Sequence, residues 1–290
     1  MSKSIKKIYE NYLWKFYLKF PKILHKKKIK MDKKKKLLSK SFIISFDCDT
    51  ADDINSSLEV FNKLKKKKIT PIFAVPSEII KEGMHVFESI RDRGGIFINH
   101  GFKKHTFYNK KNKRHESCFF YDKIPTKILE NDIVKGHNFL KNFLKKHPNG
   151  FRTPHFGTFQ NKKNLELLHK ILKENNYLYS SSTVPSYGYL NGSIMKAFGL
   201  YEFPISGRYS SPLLILDSWG FFAAPCRKET EHDYLMEIEK LINVIKKNCG
   251  IVNIYADPSH VVKSKIFFKS MDLLISSLEN KTFEDFLNCE

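Results

Sequence analysis

Residues 41–53 read SFIISFDCDTADD, an apolar run that breaks abruptly into carboxylates. Ser41–Phe46 has the length of a strand buried on both faces. Asn55–Lys66 follows with Leu58, Phe61 and Leu64 at helical spacing. Strand, acidic turn and helix make one βα unit, and the same unit recurs down the chain. Ile69–Val75 reads as a strand and Pro76 with Ser77 opens a helix to about Arg91, stopped by Gly94 and Gly95. Further strands are expected at Ile96–Ile98, Gly150–Arg152, Tyr177–Ser180, Leu213–Leu216 and Ile251–Tyr255. Helices are expected at 126–146, Leu165–Glu174, 231–248 and 265–279, with a long polar loop from Gly101 to Lys123 and a glycine-bearing insertion over 181–211. About seven such units indicate an α/β fold, a distorted (β/α) barrel of the TIM type.

In a barrel of this kind the strand ends converge, so polar residues placed just after strands share one pocket. Asp47 and Asp49 follow the first strand, His100 the third, and Arg152, Thr153, Pro154 and His155 the next. Asp217 and Trp219 follow Leu213–Leu216, and Asp257 and His260 follow Ile251–Tyr255. Carboxylates at i and i+2 of an extended chain point the same way, and unpaired they would drive one pKa up. A divalent cation on one of them resolves the conflict and leaves the other free as a base. The competing reading has Asp49, Asp52 and Asp53 capping the next helix. In NHGFKKH, His100 and His105 would add two imidazoles to one carboxylate, a set that leaves open positions on zinc. The bland alternative for His105 is a surface histidine in a lysine-rich loop.

These residues, taken in order, resemble the polysaccharide deacetylases of carbohydrate esterase family 4, in the branch whose first motif is F-D-x-D. The resemblance covers residues 41–290. It implies Asp47 as catalytic base, Asp49, His100 and a second histidine as metal ligands, and Arg152 of the R-T-P motif orienting Asp47. It implies Pro154, His155, Asp217, Trp219 and Tyr255 around the sugar, and Zn2+ as the divalent metal. Two departures stand out. The histidine spacing is H-x-x-x-x-H, one residue longer than usual: the loop absorbs the extra residue and leaves His105 as ligand, or His155 takes its place, or two protein ligands and water hold the metal. The last motif reads V-N-I-Y, with Tyr255 where the family carries its general-acid histidine; His260 lies just beyond and is the candidate acid. The implied function is removal of an acetyl group from an acetylated sugar; for a cytoplasmic enzyme the expected substrate is an N-acetyl sugar in a cytoplasmic precursor of a surface glycan. The alternative is a non-catalytic member that binds glycan or metal without turnover.

Composition bounds the rest. The net charge is +21, but residues 1–40 hold 15 Lys against one Glu and one Asp. That leaves 36 basic and 28 acidic residues for the body. Residues 1–40 therefore read as a basic, aromatic-containing extension to a catalytic domain of 41–290. Its aromatic segment Tyr9–Phe20, ended by Pro21 and followed by lysines, reads either as a membrane-surface anchor or as a short helix packed on the body with a solvated linker. Nucleic acid is not expected as a partner, because the charge is concentrated at one end and no reader motif is present. Five scattered cysteines without a C-x-x-C pair suit a reducing compartment. Lys15, Lys19 and Lys22 interrupt any signal-like apolar run, and no stretch reaches about 18 apolar residues. The expected location is cytoplasmic, with peripheral contact to the inner face of the membrane if the anchor reading holds.

Overall fold

The structure, a computed structural model, describes residues 20–224 and 228–287. The aromatic segment up to Lys19, together with Cys226 and Cys289, lies outside the described residues. In chain order the elements are α1 (Pro21–Lys34), β1 (Lys40–Asp47), α2 (Ala51–Lys66), β2 (Ile72–Val75), α3 (Ser77–Glu82), α4 (Met84–Asp92) and β3 (Ile96–Asn99). A hairpin β4 (Thr106–Asn109) and β5 (Arg114–Ser117) precedes α5 (Thr126–Leu144), β6 (Gly150–Phe151), α6 (Lys162–Glu174) and β7 (Tyr179–Ser180). Then come α7 (Pro185–Asn191), β8 (Met195–Ala197), β9 (Leu200–Glu202), α8 (Glu231–Lys247), β10 (Gly250–Ala256), α9 (Pro258–Val261), α10 (Lys265–Ser277) and β11 (Glu279–Asn280). The main sheet runs β10-β1-β2-β3-β6-β7-β9-β8, with β11 beside β1. All its pairs are parallel except β8 with β9. The sheet curls until the chain after β9 returns to β10, where Ser206 N–H donates to the Asn253 carbonyl at 2.8 Å. The fold is therefore a distorted (β/α) barrel.

The alternation within β1 explains why both its faces are apolar. Phe42, Ile44 and Phe46 pack outward among residues of α2, α4, α8 and α10. Ile43 packs inward with Ile72, Ala74, Ile98 and Ile251, above Phe283 and Phe286. With a period of two, Asp47 shares the inward side with Ile43 and stands at the C-terminal rim of the barrel. Thr50 then starts α2, and its hydroxyl and N–H are answered by Asp53 in a capping box. Thr50 is the cap and Asp53 its partner, so the Asp49 side chain is left for other work.

Several sequence expectations change. Leu213–Leu216 is not a strand: its link to the barrel is an isolated bridge between Gly207 and Ile215, and Leu214 is exposed. The strand in that position of the sheet is β9, inside the stretch read as an insertion. It is only three residues long and follows Gly199 in a left-handed conformation, so it has no periodicity to read. The expected helix of 77–91 is broken at Gly83, where a Cβ would strike Ile54. The polar loop of 101–123 contains the β4–β5 hairpin.

The largest change concerns the lysine-dense run. Pro21 opens a helix rather than merely closing a segment, taking the first helical position where its missing N–H costs nothing. Lys28 Nζ of α1 donates to the Ile251 carbonyl at 2.8 Å, and buried Asp32 accepts from Ser193 N–H and Oγ at 2.6 and 2.8 Å. Lys28 and Asp32 share an enclosed space with Pro204–Gly207 and Ile251, so α1 covers the seam where the barrel closes. Residues 21–34 are part of the barrel's wall, not a linker.

His25 belongs to that seam. Its Nε2 donates to the Tyr209 carbonyl at 3.1 Å and its ring stacks on Tyr209. Burial pulls its pKa from 6.5 down to about 4. The folded state thus favours the neutral ring, so this stability is present above pH 6.5 and lost as pH falls toward 4. The expected loss is about 3 kcal/mol across that window. Denaturant unfolding of wild type and His25→Phe at pH 7 and pH 4.5 checks this; the variant should lose distinctly less stability between the two.

Candidate active site

The barrel's C-terminal rim opens into a cleft of about 800 Å³. Asp47, Asp49, His155, Phe156, Trp219, Tyr255, Asp257 and His260 line it, with Arg114–Ser117 of β5 along one side. At its floor, buried His100 and His105 present ring nitrogens to Asp49. His105 Nε2 lies 2.8 Å and His100 Nε2 3.6 Å from Asp49 Oδ1. One ligand atom from each of the three residues lies within 4.8 Å of the others. Asp49 Oδ1 and both His105 nitrogens are buried and make no hydrogen bond of acceptable geometry. Buried polar atoms are ordinarily paired, so His105 Nε2 and Asp49 Oδ1, orphaned and facing each other with His100 Nε2 alongside, have the arrangement of ligands around a shared cation. Asp49, His100 and His105 therefore form a group that can hold a divalent metal.

The electrostatics fit that reading. Burial pushes the Asp49 carboxyl up, but the imidazoles of His105, His100 and His155 outweigh it and bring the pKa to about 2. Burial, reinforced by the neighbouring His105, holds His100 down to about 3. His100 Nδ1 faces the Arg152 carbonyl at 2.8 Å. That contact sets Nδ1 as the protonated nitrogen and turns Nε2, lone pair outward, to the cluster.

The longer histidine spacing is absorbed between Gly101 and Lys104. Asp132 of α5 accepts from the Phe102 and Lys103 N–H groups at 3.1 and 3.0 Å, and Glu78 accepts from Lys104 N–H at 2.9 Å. Gly101 has φ +85°, and a Cβ there would stand 2.5 Å from Asp132 Oδ2. Gly101→Ala should therefore displace His105 and weaken metal binding by about tenfold or more. Gly157→Ala serves as control, since its φ of +94° is similar but nothing lies within 4 Å. Metal titration of the two variants checks this.

Asp47 stands beside the cluster. Its Oδ1 accepts from Arg152 NH1 at 2.6 Å, and its Oδ2 lies 4.0 Å from His100 Nε2. Burial raises its pKa to about 7, with the Asp49 charge adding to the rise and the Arg152 guanidinium opposing it. Arg152 is fully buried and so serves both halves of the site: its side chain holds Asp47 and its carbonyl orients His100.

On the far wall, His260 of α9 sets Nδ1 2.8 Å from Asp257 Oδ2. Burial alone would lower the His260 pKa, but Asp257, aided by Asp53 and Asp217, outweighs it and raises it. Ser218 Oγ joins the pair, 3.1 Å from His260 Nδ1 and accepting from Asp257 N–H at 2.8 Å. Trp219 is half exposed, with its ring centre 5.8 Å from that of His260. Phe156 packs against Tyr255 at 4.8 Å.

Not every expected site residue reaches the cleft. Pro154 is buried beside Arg152 and does not line it. Asp217 is turned away as well: its Oδ1 accepts from Gly220 N–H at 3.0 Å and braces the turn that carries Trp219. His155 lines the wall, but its Nε2 is spent on the Cys118 carbonyl at 2.8 Å, and it is not among the clustered ligand atoms. Sequence reasoning missed Arg114, His115 and Glu116 of the hairpin and the supporting Asp132. The hairpin is tied to the floor of the site by Thr106 Oγ1, which donates to the Asp49 carbonyl at 2.6 Å, and by Cys118 N–H to the His105 carbonyl at 2.7 Å.

No protein-family model matches the sequence, and no curated protein matches it either. Solved structures do. A candidate polysaccharide deacetylase of Mycobacterium smegmatis superposes with a TM-score of 0.62 at 15% identity, over 86% of this chain and 90% of that one. An allantoinase gives 0.61 at 8% identity, over 85% and 88%. A carbohydrate esterase family 4 pseudoenzyme of Bacillus anthracis gives 0.53 at 11% identity, over 87% and 66%. Barrel topology, cluster and neighbours together give this chain the fold of the carbohydrate esterase family 4 polysaccharide deacetylases.

Proposed function

We propose that the protein is a metal-dependent hydrolase that removes the acetyl group of an acetylated sugar, with N-acetyl sugars as its substrates. The observation that carries the reading is the cluster of Asp49 with buried His100 and His105, its ligand atoms within 4.8 Å of one another beside an arginine-held aspartate. One carboxylate and two imidazoles suit Zn2+ and leave positions open. A cation bound there would acidify water and polarise the acyl carbonyl.

The chain's own residues supply the rest. Asp47 is the base: Arg152 occupies its Oδ1, and the free Oδ2 faces the cluster, where it takes the proton of the attacking water. His260 is the acid: Asp257 engages Nδ1 and raises the pKa, which favours the protonated ring and leaves Nε2 to deliver a proton to the leaving nitrogen. His155, Tyr255 and Trp219 form walls that hold the sugar and exclude water. Pro154 and Asp217 act at one remove, shaping the chain around Arg152 and Trp219.

The substrate we favour is a cytoplasmic precursor of a surface glycan, with residues 1–19 touching the membrane surface. Among the described residues no helix is long and apolar enough to cross a membrane. Because α1 is built into the barrel seam, the membrane contact is tested by deleting residues 1–19 alone; unchanged membrane association would remove it. A binding-only protein is the second reading, favoured by Tyr255 at the position where the family resemblance implies a general-acid histidine. Acetate release from acetylated nucleotide sugars and oligosaccharides, measured beside His260→Gln, separates the two. Turnover that falls sharply in the variant supports His260 as acid, and absence of release from every substrate supports binding alone.

A further inference from the structure

Beneath Arg152 lies a layer of buried side chains that the proposed chemistry does not use. Arg152 Nε donates to the Ser181 carbonyl at 3.2 Å, and NH2 donates to Ser181 Oγ at 3.2 Å. Ser181 Oγ spends its own proton on the Phe203 carbonyl at 3.0 Å. Its remaining lone pair faces Asn253 Nδ2 at 3.3 Å, and that amide also reaches the Phe203 and Pro204 carbonyls at 3.1 and 3.2 Å. Asn253 is the β10 residue whose carbonyl receives Ser206 N–H where the barrel closes. Arg152 and Ser181 are fully buried, and Asn253 is 3% exposed.

A guanidinium is planar, so fixing two of its nitrogens fixes the third. We infer that Ser181, locked by Asn253, is a positioning residue that aims Arg152 NH1 at Asp47 and so holds the base in register with the metal cluster. The closure of the barrel is thereby coupled to the geometry of the base. The inference rests on the hydrolase reading above. Ser181 touches neither substrate nor metal ligand; it acts only through Arg152. Misaim of a catalytic group by about an ångström costs up to ~100-fold in rate, so even a modest rotation is measurable.

The test is a double-mutant cycle on the metal-loaded full chain, read by acetate release, with metal content and Tm measured in parallel. Ser181→Ala should lower kcat about tenfold or more, leave KM and metal content at wild-type values, and add nothing further in an Arg152→Ala background. Ser181→Thr, which keeps the hydroxyl, should restore most of the rate. If Ser181→Ala does not fold, Asn253→Ala is read through the same cycle with the same expected pattern. A wild-type kcat in the alanine variant overturns the inference. A loss that persists undiminished without Arg152, or one shared between KM and Tm, overturns it too. A metal-loaded wild type that releases no acetate refutes the hydrolase reading and this inference with it, whereas an active wild type matched by its variant refutes the inference alone.

Discussion

Asp47→Asn will lower kcat for acetate release by about a thousandfold while metal content stays at that of the wild type. The amide cannot take a proton, and general-base catalysis contributes about 10²–10⁴ in rate. It keeps the shape of the carboxylate and one oxygen for Arg152 NH1, now 2.6 Å away. It leaves Asp49, His100 and His105 in place, so binding and chemistry part company. The observation behind the prediction is the division of labour between the oxygens of Asp47, one held by Arg152 and one facing the cluster. Metal content by elemental analysis and steady-state kinetics check it. Parallel loss of metal and rate would make Asp47 a ligand rather than a base.

His105→Ala will weaken divalent-metal affinity by more than about a hundredfold, and His155→Ala will cost less. Removal of a supporting partner of a metal ligand costs about 10–100-fold, so loss of a ligand must exceed that range. The two histidines are ring neighbours, with centroids 5.1 Å apart, and sequence alone does not separate them. Geometry does. His105 is fully buried with its Nε2 2.8 Å from Asp49 Oδ1, whereas the Nε2 of His155 is engaged by the Cys118 carbonyl and its ring tilts over Phe120 at 4.5 Å. Competition titration with a chelator measures both variants. A larger loss in His155→Ala would reverse the assignment.

The residues legible in the sequence are those placed at strand ends, where a run of apolar residues stops and a polar side chain begins. Asp47, Asp49, His100 and Arg152 each announce themselves that way, and the structure brings them together. Residues that act through tertiary support were silent. Asp132 sits in a helix of ordinary amphipathic pattern, and its role appears only when the loop from Gly101 to Lys104 folds back onto it. The hairpin of β4 and β5 leaves Phe107 and Tyr108 half exposed, so neither strand shows the alternation that burial of one face would impose. Lys28 and Asp32 lie in a run that composition marks as solvated, yet one reaches the Ile251 carbonyl and the other accepts from Ser193. Leu213–Leu216 misled in the opposite sense, because an apolar run that meets the barrel through a single bridge does not extend into a ladder.

Two supports far from the cleft show how much of the barrel is held by polar contacts that pattern cannot reveal. Glu202 and His169 meet at 3.1 Å with neither exposed, and the other oxygen of Glu202 accepts from the Ser182 and Thr183 N–H groups at 2.7 and 2.9 Å. These bonds tie β9 to the segment after β7, next to Ser181. The strand that leads to the barrel's closure is thus anchored through Glu202 to the segment that carries Ser181.

Metal content and acetate release, measured together on purified wild type and Asp49→Ala, test the central claim most directly. Wild type should bind close to one divalent metal per chain and release acetate from an N-acetylated sugar, and Asp49→Ala should lose both. Stoichiometric metal in the wild type with no acetate from any acetylated nucleotide sugar or oligosaccharide would contradict the account.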